Sequence, residues 1–277
     1  MRFRSLLAIP TLLWFILFIL VPLIIVGVVS FSTRGAYGGI SWEWSLESYS
    51  LAFSSTYFGI FIESLQMATA TTVSCLIIGV LVTWAISTAP EKWRRFFILA
   101  LALPFLTNLV IRLYALRLFV GFDGPLQQVL TLLHVPFDPF SLSQNKILVY
   151  YGMVTTYLPF MVIPLYAAFE KFDFYLVEAA QDLGAGPWRI LRTVIMPNLK
   201  KPIWSGSLLV FIPAFGEYVI PDLLGGAKTM LYGNLITEQF LKSRNWPLGS
   251  ALAVLLMVLL LVLAVIVFKR EGHRHES

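Results

Sequence analysis

The chain has 277 residues, of which 58% are hydrophobic and 13% charged, and a mean hydropathy of +0.81. That balance lies outside the range of soluble globular domains and makes the chain a polytopic, all-α membrane protein. Its net charge of +5 is small, no basic arm with interleaved aromatics points to nucleic acid, and the single cysteine, Cys75, excludes an intrachain disulfide.

Apolar runs predict six spans near residues 7–29, 60–88, 96–118, 147–168, 203–224 and 248–268. The first follows Met1-Arg-Phe-Arg, but its apolar core is too long for the hydrophobic region of a signal peptide and no small-residue cleavage site follows it, so a retained span is expected. The chain divides into residues 1–59 (first helix and outer loop), 60–268 (a five-helix transmembrane domain) and a tail, 269–277. The outer loop near 30–59 is rich in Gly, Ser and aromatics. The next, near 119–146, holds an amphipathic segment from Leu126 to Leu133, and the third opens on Gly225-Gly226 and ends at Trp246-Pro247.

Six spans place both termini and the loops 89–95 and 169–202 on one side. That side carries Arg2, Arg4, Lys92, Arg94, Arg95, Lys171, Arg189, Arg192, Lys200, Lys201, Lys269, Arg270 and Arg274. The other side has Arg34, Arg112, Arg117, Lys146, Lys228, Lys242 and Arg244. The positive-inside rule assigns the first set to the cytoplasm. The outward acids, Glu43, Glu47, Glu63, Asp123, Asp138, Glu217, Asp222 and Glu238, leave that face mildly favourable to arriving cations.

No enzyme is visible. His134, His273 and His275 are scattered, and no Cys/His/carboxylate spacing suits a metal. Gly225-Gly226-Ala227-Lys228-Thr229 only faintly echoes a phosphate loop and falls on the outer side, so ATP must be used by another chain. At membrane depth, Glu217 on the fifth span and Arg112 on the third lie at similar heights. Two readings stand: Glu217 lines a substrate path, or the two pair and hold helices together. Asp222 sits at the interface, where a solvated acid needs no further reason. Pro104, Pro159, Pro164, Pro213, Gly216 and Pro221 can break the helical ladder, as is tolerated beside a cavity.

The longest amphipathic, charged segment is Glu178–Pro197, within the loop 170–201. Asp173 can cap a first helix carrying Leu176, Ala180 and Leu183 on one face, and Gly184 suits the left-handed position that ends it. Pro187 can open a second helix on which Trp188, Leu191 and Ile195 share a face, with Pro197 closing it. By its residues alone this helix–turn–helix suits either a docking surface or the lipid interface.

The segment also resembles the cytoplasmic loop of bacterial ABC importer permeases that work with a soluble binding protein. Glu178-Ala179-Ala180, Gly184 and Pro197 stand at the family spacing, with Val194 for Ile and Met196 for Leu as departures. Pro104–Tyr114, Leu158–Tyr166, Glu178–Ala185, Phe215–Gly226 and Asn245-Trp-Pro247 are similar to the permease subunits of spermidine/putrescine importers, the B type in particular. The resemblance implies the type I ABC importer permease fold in a bacterial inner membrane. It implies a second, C-type permease as heterodimer partner, two copies of an ABC ATPase that bind ATP and Mg, and a periplasmic binding protein, with no cofactor in this chain. Glu178, Ala179, Ala180, Asp182, Gly184, Ala185 and Pro197 would couple to the ATPase. Glu217, Tyr218, Asp222, Asn108, Tyr114 and Arg112 would line the substrate pathway. Relatives that move ferric iron, thiamine or other organic cations share the architecture. An ion-coupled carrier is the rival class, but it would want paired membrane carboxylates and inverted repeats, and neither is evident.

Overall fold

The computed structural model describes residues 10, 12–134, 145–226 and 229–272. Arg2, Arg4, Asp138, Ala227, Lys228, His273, Arg274 and His275 lie outside them. The described fold is helical apart from one two-residue ribbon. Helices α1 (Leu12–Val29), α3 (Ser55–Thr88), α7 (Lys146–Phe169) and α13 (Trp246–Gly272) each hold an uninterrupted apolar stretch long enough to cross a membrane. The third and fifth expected spans are each broken in two. The third is α4 (Glu91–Leu106) followed by α5 (Leu109–Val120), and the fifth is α10 (Lys200–Phe215) followed by α11 (Val219–Leu224). Between come β1 (Thr33–Arg34), β2 (Ile40–Ser41), α2 (Glu47–Ala52), α6 (Pro125–Leu132), α8 (Tyr175–Asp182), α9 (Pro187–Ile190) and α12 (Tyr232–Leu241).

The breaks are not where all the prolines are. Pro159 and Pro164 lie within α7, which runs on through both. Chain direction changes instead at Thr107-Asn108, both extended, and at Gly216-Glu217-Tyr218.

The chain forms two compact units. The first comprises residues up to Ile62 and Tyr232–Leu263. Here the loop after α1 contains the antiparallel ribbon, with Thr33 opposite Ser41, turned through Gly38 and Gly39 at positive φ. Gly39 N–H donates to the Arg244 carbonyl and the Arg34 guanidinium to that of Ser243, fastening this loop to the one before α13. The ribbon was not foreseen, because a two-residue strand carries no alternation to read.

The second unit, Glu63–Leu231 with the end of α13, is built around α7. Helix α7 buries Gly152, Met153, Val154, Tyr157, Met161, Val162 and Leu165, and packs against α10, α11, α5 and α4. Small residues permit the close approach that replaces the hydrophobic effect within lipid. A Cβ at Gly79 would stand 2.9 Å from Met161 Cγ, and one at Gly206 would stand 2.8 Å from Met161 Sδ, so Met161 wedges between two glycines.

Gly152 is equally tight, its missing Cβ lying 2.7 Å from Leu224 Cδ1 and 3.0 Å from Ile220 Cγ2. Gly152→Val is therefore expected to destabilise the purified protein by about 1–3 kcal/mol through overpacking. Gly59→Ala, with nothing within 4 Å, should be neutral or slightly stabilising. Thermal unfolding in detergent measures both.

Candidate functional site

The candidate coupling segment begins at α8. Asp173 Oδ1 accepts the Tyr175 amide at 3.0 Å and caps its start. At its end Ala185 N–H donates to Ala180 O at 2.9 Å and Gly184 N–H to Gln181 O at 2.8 Å, with Gly184 at φ +76°. This is the paired closure of a Schellman motif, in which glycine takes the left-handed position at no steric cost. Gly186 and Pro187 then start α9, as expected.

The packing of this lobe differs from expectation in two places. Leu176 and Leu183 are exposed, and α8 rests on its other side through Val177 and Ala180. Trp188 is 81% exposed, whereas Ile190 and Ile195 join Phe169 and Leu199 in a buried cluster. The reason is a wide π turn over Leu191–Ile195. In that turn the bond runs from residue i to i+5, so Ile190 and Ile195 come to one side while a 3.6-residue period selects Trp188, Leu191 and Ile195. Nor does Pro197 close the helix. Helical backbone continues through Met196–Asn198 to Leu199, where the next helix starts. Of the candidate coupling residues, Glu178, Ala179, Asp182, Gly184 and Pro197 face outward, while Ala180 and Ala185 are half-buried against the cluster.

The candidate pathway residues gather at the two broken spans. At the first break Asn108 Oδ1 accepts the amides of Val110 at 2.8 Å and Ile111 at 3.4 Å, capping α5. Arg112 reaches back to Pro104 O at 3.3 Å, one of the carbonyls the break leaves without a helical donor, and across to Thr156 Oγ1 on α7 at 3.0 Å. At the second break Glu217 Oε1 accepts the amides of Val219 at 2.8 Å and Ile220 at 3.2 Å, and Oε2 accepts the Tyr157 hydroxyl. Glu217 is 8% exposed. Arg112 and Glu217 thus have separate partners and form no ion pair, which corrects the pairing alternative. Burial in the low dielectric favours short, filled hydrogen bonds to the carboxylate over a salt bridge across two helices.

Tyr114, Tyr218 and Asp222 are exposed, on α5, at the break and on α11. Thr156 and Tyr157 were missed as members of this site. The only signal for them was their place beside Leu158-Pro159 on an otherwise apolar span.

Comparison with known proteins places this arrangement. Residues 91–270 match the family described as "Binding-protein-dependent transport system inner membrane component". The chain belongs to that family. The spermidine/putrescine transport system permease protein PotB of Haemophilus influenzae is 39% identical over 92% of this chain and 90% of its own length. The PotB protein of Escherichia coli is 37% identical over 89% and 90%. Among solved structures, a bacterial ABC transporter that imports the acidic polysaccharide alginate aligns with a TM-score of 0.77 at 16% identity, covering 98% of this chain and 96% of its own. The MetNI methionine ABC transporter aligns at 0.55 and 16%, covering 78% and 97%. The chain therefore has the type I ABC importer permease fold and is a multi-pass inner-membrane transport permease with close homologues among the PotB proteins.

The Tyr157–Glu217 bond gives a direct test of the second break. Tyr157→Phe leaves a buried carboxylate oxygen without a donor and should cost about 1–3 kcal/mol. Glu217→Gln keeps an oxygen for the Val219 and Ile220 amides and should cost less than Glu217→Ala, which removes all three bonds. The Tyr157→Phe/Glu217→Gln double variant should deviate from additivity by about 0.5 kcal/mol or more in thermal unfolding.

Proposed function

We propose that this chain is the non-catalytic permease subunit of an ATP-driven importer that carries a small organic cation, most closely spermidine or putrescine, from a periplasmic binding protein to the cytoplasm. The observation that carries the reading is α8, a short helix closed at both ends and seated on a buried apolar cluster, with its acidic side turned outward. Such a helix transmits force as a rigid body because its termini are capped and its underside is packed.

In this reading both termini and residues 170–201 are cytoplasmic, on the side with the larger share of Lys and Arg. Leu176 and Leu183, exposed beside Glu178 and Asp182, supply the apolar contacts of a docking surface on an ABC ATPase, two copies of which bind ATP and Mg. A second permease of C type completes the membrane assembly. The substrate names of the 37–39% identical relatives support the polyamine assignment, as does the acidic balance of the outward loops. Glu217 acts here by holding the broken fifth span open beside Tyr218 and Asp222, the exposed residues of the same turn.

The chain alone should hydrolyse no ATP, and the reconstituted importer should couple hydrolysis to uptake of radiolabelled spermidine or putrescine. Uptake that survives deletion of the ATPase but collapses with an uncoupler refutes the reading in favour of an ion-coupled carrier. An unchanged rate after deleting this chain refutes the substrate.

A Cβ on Gly184 would meet nothing within 4 Å, so substitution there acts through backbone strain alone. Gly184→Val should strain the turn by about 1–2 kcal/mol, leave assembly and ATP hydrolysis intact and lower uptake at least tenfold. Loss of assembly in that variant would make the glycine structural.

A further inference from the structure

One ion pair stands apart from everything described above. Lys146, the first residue of α7, places Nζ 2.7 Å from Glu63 Oε1 on α3. Oε1 is shielded from solvent yet receives no hydrogen bond, so the lysine sits beside the carboxylate without in-line donor geometry. The lysine side chain is 54% exposed and that of the glutamate 34%, a setting in which an ion pair is weakly held and open to exchange with solvent.

One helical turn from the pair lies a shallow, largely apolar groove that carries a few polar side chains. Gln66 lies one turn beyond Glu63 on α3, and Tyr150 lies one turn beyond Lys146 on α7. Both residues line an open groove of about 610 Å³ that runs past Thr69 and Val73 to Ser74. The Ser74 and Tyr150 hydroxyls are hydrogen-bonded to each other and close its floor. From Glu63 the axial distance is about 4.5 Å to Gln66, 9 Å to Thr69 and 16.5 Å to Ser74. Gln66 and Thr69 are exposed, on helices otherwise apolar enough to cross a membrane.

We infer that Glu63 is a receiving site for a primary ammonium group of the substrate, which Lys146 occupies when no substrate is present, and that the groove below accepts the rest of the chain. This rests on the organic-cation reading above and adds the first contact. The lysine is a tethered copy of the group to be bound: it neutralises Glu63 while the site waits and withdraws when a free ammonium replaces it. A diamine or triamine has an advantage that the lysine lacks. Once its first ammonium is on Glu63, its second meets the oxygens of Gln66, Thr69, Ser74 and Tyr150 farther along. A monoamine has no such second contact and gains nothing over Lys146.

The test is equilibrium binding of radiolabelled spermidine and putrescine to the assembled membrane importer without added binding protein, paired with uptake by the complete system. Lys146→Met removes the competitor and is expected to tighten spermidine binding about tenfold. Glu63→Gln removes the site and should weaken it about tenfold, and the double variant should match Glu63→Gln. Butylamine should compete poorly with the wild type and measurably better with Lys146→Met. If the pair is only a staple between two helices, both single variants lose thermal stability and neither changes affinity, or both change it in the same direction; either result overturns the inference. Should Glu63→Gln fail to assemble, Lys146→Met decides alone, since it keeps the carboxylate: unchanged or weaker binding overturns the inference. If the wild-type importer neither binds nor takes up any of these amines, it is the organic-cation reading that fails, and this one with it. Wild-type uptake with affinity indifferent to both variants removes only the Glu63 site.

Discussion

A break in an apolar helix leaves backbone donors and acceptors that need new partners, and the described residues hold two such breaks. A charged side chain takes part in mending each, at the first break together with the Asn108 cap. Arg112 takes up a carbonyl left over from the end of α4, and Glu217 takes up two amides at the start of α11. Each repair is then tied to the central helix, Arg112 through Thr156 and Glu217 through Tyr157. Those two anchors are consecutive residues. The charged pair is therefore linked, but through neighbouring hydroxyls on a third helix and not by direct attraction. The buried Glu217 carboxylate is held by three donors, and the half-buried Arg112 by two acceptors, so neither relies on a single opposite charge.

This arrangement explains why two spans can be interrupted without loss of the fold. Helix α11 packs on both α7 and α5, and Gly152 lets Leu224 and Ile220 come within contact distance. The interruptions leave Asn108, Tyr114, Tyr218 and Asp222 unburied beside turns that cannot slide as a straight helix can.

Much of this was legible from residue order. The long apolar runs, the cap at Asp173, the glycine stop at Gly184 and the proline start at Pro187 each follow from one local rule, and local rules act through a few neighbours. What escaped depended on register or on distant partners. A single wide turn over Leu191–Ile195 brings Ile190 and Ile195 to one side, a juxtaposition that a plain 3.6-residue period does not give, and Trp188 is left exposed. Similar depth made Arg112 and Glu217 look like a pair, since depth along a helix says nothing about which way a side chain turns around it. Tyr157 and Thr156 were silent because a hydroxyl on an apolar span is common, and only the packed structure shows which carboxylate or guanidinium it meets. The prolines of the spans and Gly216 were equal candidates for a break in sequence. The structure selects between them by where neighbouring side chains can replace the missing bonds: Pro159 and Pro164 sit inside an unbroken helix, whereas Glu217 and Asn108 supply acceptors at the turns.

Helix α7 has 24 residues and a length of about 36 Å. Its first residue, Lys146, holds Glu63; its middle carries the anchors of both breaks; its last, Phe169, is buried in the cluster under the candidate coupling helix. Position along one element is not by itself coupling, which requires two arrangements that both ends bias. What α7 does provide is a common rigid member. A push on α8 reaches Phe169 through Val177, Ala180 and Ala185, all packed on that cluster, and the same helix bears the groups that hold α5 and α11 in their broken form. Close packing at Gly79, Gly152 and Gly206 leaves little room for its side chains to absorb displacement locally. The charged groups at the breaks are tied to the same helix by their hydrogen bonds to Thr156 and Tyr157, bonds that cost free energy to leave unmade in an apolar surrounding.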